Sequence, residues 1–112
     1  MKKASILKEV EYKPVKPNVQ ILLETESSKE IRIAMKKGQI MKEHQTPFPI
    51  IVEIFEGEID FGVQGTAHNL IKGDLVALEG EVPHDLEAKE NSIIRLTISK
   101  SDTVKRVKEV AS

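Results

Sequence analysis

Hydrophobic and polar residues alternate in short runs along the middle of the chain. Between residues 30 and 35, Ile31, Ile33 and Met35 fall on one face, and Arg32 and Ala34 fall on the other. A period of two residues is that of a β-strand, so this run predicts a strand. Similar alternating or continuous apolar runs, separated by turn residues, predict further strands over residues 19–23, 50–55, 58–63, 66–71, 75–78, 84–88 and 92–98.

The residues between these runs predict how the strands are connected. Glu56-Gly57 is a turn signal, so residues 50–55 and 58–63 are predicted to form a hairpin. Gln64-Gly65 and Gly73-Asp74 predict further turns. Short strands separated by turns, with almost no helix between them, are typical of an all-β sandwich or small barrel. In such a barrel the pocket lies at the centre or the mouth.

The two ends of the chain differ from the middle. Pro14 and Pro17 exclude a continuing helix near the N-terminus, so residues 1–29 are predicted to form an extended arm and the first strand. Residues 30–98 are the predicted barrel core. Ser101 or Asp102 can cap a short helix within residues 99–112, with an apolar stripe at Val104, Val107, Val110 and Ala111. The whole chain is predicted to be a single domain.

Composition and charge exclude several classes of function. Lys and Arg number 17 against 18 Asp and Glu, a net charge of −1, so no basic excess drives nucleic-acid binding. One Tyr and three Phe are too few for a base-stacking platform, and the absence of Cys excludes disulfides and thiolate metal sites. No apolar run approaches the roughly 18–20 residues that cross a bilayer, and no secretory core begins the chain, so a cytoplasmic protein is expected.

Two stretches carry a resemblance to a known family. The first runs from Gly38 through His44 to Gly57, and the second runs from Gly73 to His84. In order and spacing they resemble the two motifs of small single-domain cupins of the conserved-barrel type, over about residues 30–98. The resemblance implies a double-stranded β-helix (jelly-roll) cupin barrel with a short C-terminal helix. It also implies a homodimer, formed through a sheet edge or an exchanged N-terminal strand.

The resemblance also implies a degenerate metal site. Cupins hold one divalent metal with two histidines and a glutamate of the first motif and a histidine of the second. His44 and His84 occupy two of these positions, whereas Thr46 and Ile50 occupy the other two. Catalytic metal sites usually have at least three protein ligands, so a divalent ion such as Zn, Fe, Mn or Ni is expected to be weakly held at most.

Other polar residues near the motifs are weaker candidates. His68 is more readily an exposed or edge residue than a third ligand, and by alternation Glu43, Gln45 and Glu53 point away from the pocket. The residues expected to line the pocket are Met35, Thr46, Phe48, Ile50, Leu86 and Ala88.

Three functions remain open at this point. The first is a protein that binds an unidentified small molecule in its central pocket, with His44 and His84 as polar anchors and the metal site partly lost. The alternatives are a metal-dependent cupin enzyme of dioxygenase or isomerase type, and a structural or sensory module without a ligand. Whether the chain is an enzyme stays undecided, and a pocket too small for a ligand would favour the third function.

Overall fold

Nine β-strands make up the regular structure in a computed structural model that describes residues 1–100. Those residues contain no helix, which confirms the all-β class for this part of the chain. The predicted C-terminal helix lies outside the described residues. The strands are β1 (Asn18–Glu24), β2 (Ser28–Met35), β3 (Ile40–His44), β4 (Ile50–Glu56), β5 (Glu58–Val63), β6 (Thr66–Ile71), β7 (Leu75–Leu78), β8 (His84–Ala88) and β9 (Ser92–Ser99).

The strands form two antiparallel sheets that pack face to face. The five-stranded sheet has the order β1-β2-β9-β4-β7, and the four-stranded sheet has the order β3-β8-β5-β6. Apolar side chains from alternate positions of both sheets meet between them, as the period-two patterns predict. The buried centre of this core comprises Ile33, Met35, Ile54, Ile59, Phe61 and Ile94.

The predicted hairpin between residues 50–55 and 58–63 is wrong. β4 pairs with β7 and β9, whereas β5 pairs with β6 and β8, so the chain changes sheets at Gly57. Gly57 has a φ of 96°, and a Cβ there would lie 2.5 Å from the carbonyl oxygen of Asn91. The turn signal correctly marked a change of direction, but it carries no information about which strands then pair.

A true hairpin joins the next two strands. Gln64 and Gly65 have φ angles of 52° and 78°, the left-handed values of a two-residue type I′ turn. The resulting β5–β6 register places Val63 opposite Thr66 and Phe61 opposite His68. The turn therefore fixes which side chains face the core along both strands.

The N-terminal arm lies across the outer face of the five-stranded sheet. Arg32 is only 3% exposed there, and its guanidinium donates hydrogen bonds to the backbone carbonyls of four arm residues, which are Ser5, Ile6, Lys8 and Glu9. The buried amides of Asn18 and Gln39 donate to two further arm carbonyls, those of Glu11 and Lys13. Buried side chains thus hold the arm through its main chain.

Within residues 1–100, no helix has the length and apolar character needed to cross a membrane.

Candidate functional site

Two histidines face each other on neighbouring strands of the four-stranded sheet. His44 ends β3 and His84 begins β8, and the two residues are Cα partners in the antiparallel register. Their ring centroids lie 4.3 Å apart with an interplanar angle of 60°. Strand β8 starts directly after Pro83, which cannot donate a ladder hydrogen bond and so suits the position before a strand.

Backbone carbonyls fix the tautomer of both rings. Nδ1 of His44 lies 2.7 Å from the carbonyl oxygen of Lys42, and Nδ1 of His84 lies 3.0 Å from that of Val82. A carbonyl oxygen can only accept a hydrogen bond, so each Nδ1 carries the proton. In the neutral rings each Nε2 then presents a lone pair, and neither Nε2 has a hydrogen-bond partner among residues 1–100.

His84 sits in a largely apolar setting. Its ring stacks on that of Phe61, with centroids 5.6 Å apart and an interplanar angle of 19°. Burial lowers the pKa of His84 below its usual 6.5, and the nearby His44 adds to this effect, while the Val82 carbonyl and Asp85 oppose it. The ring is therefore neutral at pH 7 and able to accept a hydrogen bond.

Both histidines line a small cavity between the two sheets. Its volume is about 30 Å³, room for one or two water molecules. Although His84 is 4% exposed, its Nε2 is not fully enclosed by protein atoms, so it borders this space. The other lining residues are all apolar: Ile33, Met41, Ile50, Val52, Phe61, Leu86, Ile94 and Leu96.

Five of the six residues predicted to line the pocket fall in three places. Ile50 and Leu86 line the cavity. Met35 and Ala88 are fully buried but are not part of its wall. Phe48 lies in a separate surface groove.

Thr46 and His68 lie away from the cavity wall. The hydroxyl of Thr46 donates a hydrogen bond of 2.9 Å to the Phe48 carbonyl and so braces the loop before β4. His68 is exposed on β6 and lines a different groove of about 200 Å³, which shares Phe61 with the cavity. Phe61 therefore separates His68 from the histidine pair.

The side chains present do not fit the divalent metal of typical cupins. His44 and His84 supply two nitrogen ligands, and the rest of the cavity wall is hydrocarbon, thioether or aromatic. Among the described residues no group of three or more His, Cys, Asp or Glu side chains could hold an ion. Nothing in this wall balances a dipositive charge, so burying one there is costly.

The sequence patterns missed most of the cavity wall. Phe61, Ile33 and Leu96 contact the site from three different strands, and only the strand register shows that they do. The alternation of residues 58–63 had placed Phe61 on an apolar face. Alternation does not identify the partner strand. Pairing with β8 brings Phe61 beside Leu86 and against the ring of His84.

No family model and no curated protein matches the sequence. Solved structures do match the fold. An RmlC-like cupin protein from Desulfovibrio desulfuricans has a TM-score of 0.81 at 20% identity, covering 88% of this chain and 96% of that one. An uncharacterised protein with a double-stranded β-helix domain from Klebsiella pneumoniae has a TM-score of 0.79 at 20% identity, covering 88% and 84%.

KdgF from Halomonas sp. also matches, with a TM-score of 0.74 at 20% identity, covering 87% of this chain and 94% of that one. Sequence identities of about 20% support a shared fold and nothing further. The described chain therefore has the double-stranded β-helix fold of small cupins, which confirms the fold expected from the two motifs.

Proposed function

We propose that this cupin-fold protein binds an uncharged small molecule whose O–H or N–H group enters the cavity and donates a hydrogen bond to the histidine pair. The observation that carries the proposal is the fixed tautomer of His44 and His84. Each Nδ1 is committed to a backbone carbonyl, and each Nε2 keeps a lone pair without a partner among the described residues. The two rings line one cavity with their centroids 4.3 Å apart, so a donor group that enters it meets an acceptor on either ring.

The apolar wall favours a neutral ligand. Apart from the two imidazoles, the cavity presents only hydrocarbon, thioether and aromatic surface. A charged group placed there would lose its hydration without an opposite charge in return. A hydroxyl or N–H donor loses less, because the histidine acceptors replace its hydrogen bonds to water.

The size of the cavity limits what can enter. Pockets for drug-sized ligands have roughly 300–1,000 Å³, whereas this cavity has about 30 Å³ and accepts only the polar end of a molecule. Volume alone would favour a packed core without a ligand. Against that, neither Nε2 is sealed off by protein atoms, so both acceptors stay open to water and to a donor group that enters the cavity.

Calorimetric titration with phenol and anisole tests the proposal. The two compounds have the same ring, but only phenol has a donor. We expect phenol to bind with one-to-one stoichiometry, anisole to bind at least tenfold more weakly, and the His44→Phe and His84→Phe variants to lose the difference. The matched control is His68→Phe, which lies beyond Phe61. Equal binding of the two compounds, no binding of either, or unchanged binding in both variants would overturn the proposal.

A further inference from the structure

The inner face of the five-stranded sheet continues past the four-stranded sheet at β1. Val19 and Ile21 point to the same face as their cross-strand partners Ile33 and Ile31. The partners are 3% and 7% exposed, whereas Val19 and Ile21 are 50% and 55% exposed. Core-facing positions of β1 are thus left uncovered by the described part of the chain.

These positions form the floor of a surface groove. We define the apolar groove as the surface of Val19, Ile21, Ile31, Phe48 and Ile98, which borders an open space of about 700 Å³. Charged residues of both signs border it, among them Glu26 and Lys29, so its edge has no strong preference for one charge. Its volume falls within the roughly 300–1,000 Å³ of ordinary ligand pockets.

The apolar groove adjoins the histidine cavity on the same sheet face. Ile31 of the groove is the cross-strand partner of Leu96 in the cavity wall, and Ile98 of the groove is the partner of Ile50 in that wall. Neighbouring strands are about 4.8 Å apart, so each pair of side chains is in contact range. The groove and the cavity therefore lie side by side on one sheet face, within the span of one molecule of ordinary size.

We infer that the apolar groove binds the hydrocarbon body of the ligand whose donor group reaches His44 and His84. This inference rests on the proposed function and extends it to a class of ligand, an uncharged amphipathic alcohol, phenol or amide with an alkyl or aryl body. The cavity accommodates the polar end, and the groove supplies the apolar area that the cavity lacks. Such a division explains how a cavity of about 30 Å³ can serve a molecule many times larger.

A series of 4-alkylphenols from phenol to 4-hexylphenol tests the role of the apolar groove. Each buried methylene is worth about 0.8 kcal/mol, so affinity should rise about fourfold per added carbon while the alkyl chain remains in the groove. The measurement is the dissociation constant from calorimetry or ligand-observed NMR on the full chain, plotted against alkyl length.

Two isoleucine variants locate the effect. Ile21→Thr removes apolar surface from the groove, and Ile51→Thr removes it from the opposite face of the same sheet, where Ile51 is 44% exposed. Both changes replace an exposed isoleucine by another β-branched residue, which limits their effect on the fold. We expect Ile21→Thr to weaken 4-hexylphenol at least fivefold with phenol unchanged, and Ile51→Thr to change neither.

The outcomes separate this inference from the proposed function. If phenol binds through the histidines but alkyl length brings no gain, or Ile21→Thr and Ile51→Thr behave alike, the groove inference is wrong and the proposed function stands. If phenol does not bind, both are wrong.

A variant ending at Lys100 tests another occupant, because Ser99 and Lys100 border the groove. If only this variant shows the length dependence, residues 101–112 occupy the groove in the full chain, and the assignment to a ligand is overturned.

Discussion

The imidazole rings of His44 and His84 meet edge to face, with centroids 4.3 Å apart on adjacent strands. Each ring is oriented by a carbonyl two residues before it in its own strand or loop, Lys42 for the first and Val82 for the second. The same local hydrogen bond therefore orients both rings. It points both lone pairs away from the backbone and makes the pair an acceptor site, in which the proximity of His44 adds to the lowering of the pKa of His84 by burial.

Stability should fall as the solution becomes acidic through the range of His84. Its pKa is lowered in the folded chain, chiefly by burial, so below pH 6.5 the unfolded chain binds more protons than the folded chain. Stability is fully present above the unfolded pKa and is lost as the pH falls from there through the folded pKa. Thermal unfolding of the native chain and of His84→Phe between pH 8 and pH 4.5 measures the difference.

We expect the difference in unfolding temperature between the native chain and His84→Phe to change across this pH range. The native chain should lose more stability on acidification than His84→Phe, and the His68→Phe control should follow the native chain, since His68 is exposed. Parallel curves for the native chain and His84→Phe would contradict the assignment of a lowered pKa to His84.

Replacing Gly57 by Ala should strongly destabilise the fold. Gly38 and Gly57 have almost equal φ angles, 91° and 96°, but a Cβ at Gly38 meets nothing within 4 Å, whereas one at Gly57 lies 2.7 Å from Cα of Ser92. Gly38→Ala should therefore cost about 1 kcal/mol of backbone strain, and Gly57→Ala should cost about 3 kcal/mol or more because of the added clash. Urea unfolding of both variants gives the loss in the free energy of unfolding. Equal losses would show that the chain tolerates a side chain at Gly57.

Arg32→Met should release the N-terminal arm. The guanidinium of Arg32 is buried with backbone carbonyls and the Gln20 side chain as its partners, so its removal leaves several carbonyls unpaired. The loss is about 2–4 kcal/mol by the cost of stranded buried groups. Tryptic cleavage after Lys8, whose carbonyl accepts a bond of 2.8 Å from Arg32, should become much faster.

Arg95→Met is the matched control for the arm. Arg95 is the cross-strand partner of Arg32 but forms partly exposed ion pairs with Glu30 and Glu53. Its replacement should leave cleavage after Lys8 unchanged. Similar cleavage of both variants would mean that the arm responds to general loss of stability rather than to the loss of the Arg32 contacts.

Introducing a carboxylate into the cavity should create metal affinity that the native chain lacks. Ile50 lines the same cavity as His44 and His84, so Ile50→Glu adds a third ligand and a compensating charge. Elemental mass spectrometry of untagged protein soaked with zinc or manganese should find metal well below one equivalent in the native chain and more in the variant. One full equivalent in the native chain, lost in His44→Ala/His84→Ala, would restore the enzyme alternative.

Much of the strand pattern could be predicted because alternation is a local property. The limits of β5, β6, β7 and β8 match the predicted runs, and those of the other predicted strands differ by one or two residues. β3 was not singled out, since Lys42-Glu43 interrupts its alternation. Pairing could not be predicted in the same way: β4 and β5 follow each other but have different partners, because the choice depends on the whole sandwich.

The residues of the candidate site likewise fall into those that the sequence predicted and those that it did not. Motif spacing gave His44 and His84, whereas Phe61 and Leu96 come to the site through pairing between distant strands. The sequence did not indicate where the N-terminal arm packs. Its acceptors are backbone carbonyls, which every residue carries, so only the fold shows that Arg32 meets them.

The most direct test of the account is the nitrogen NMR spectrum of the histidine rings during a titration with phenol. Two-bond proton–nitrogen correlations at pH 7.5 report the tautomer and the hydrogen bonding of each ring nitrogen. We expect His84 and His44 to be protonated at Nδ1, and phenol to shift their Nε2 signals while those of His68 stay fixed. Protonation at Nε2 in the free protein, or Nε2 signals that ignore saturating phenol, would contradict the claim that this pair is an acceptor site for a ligand.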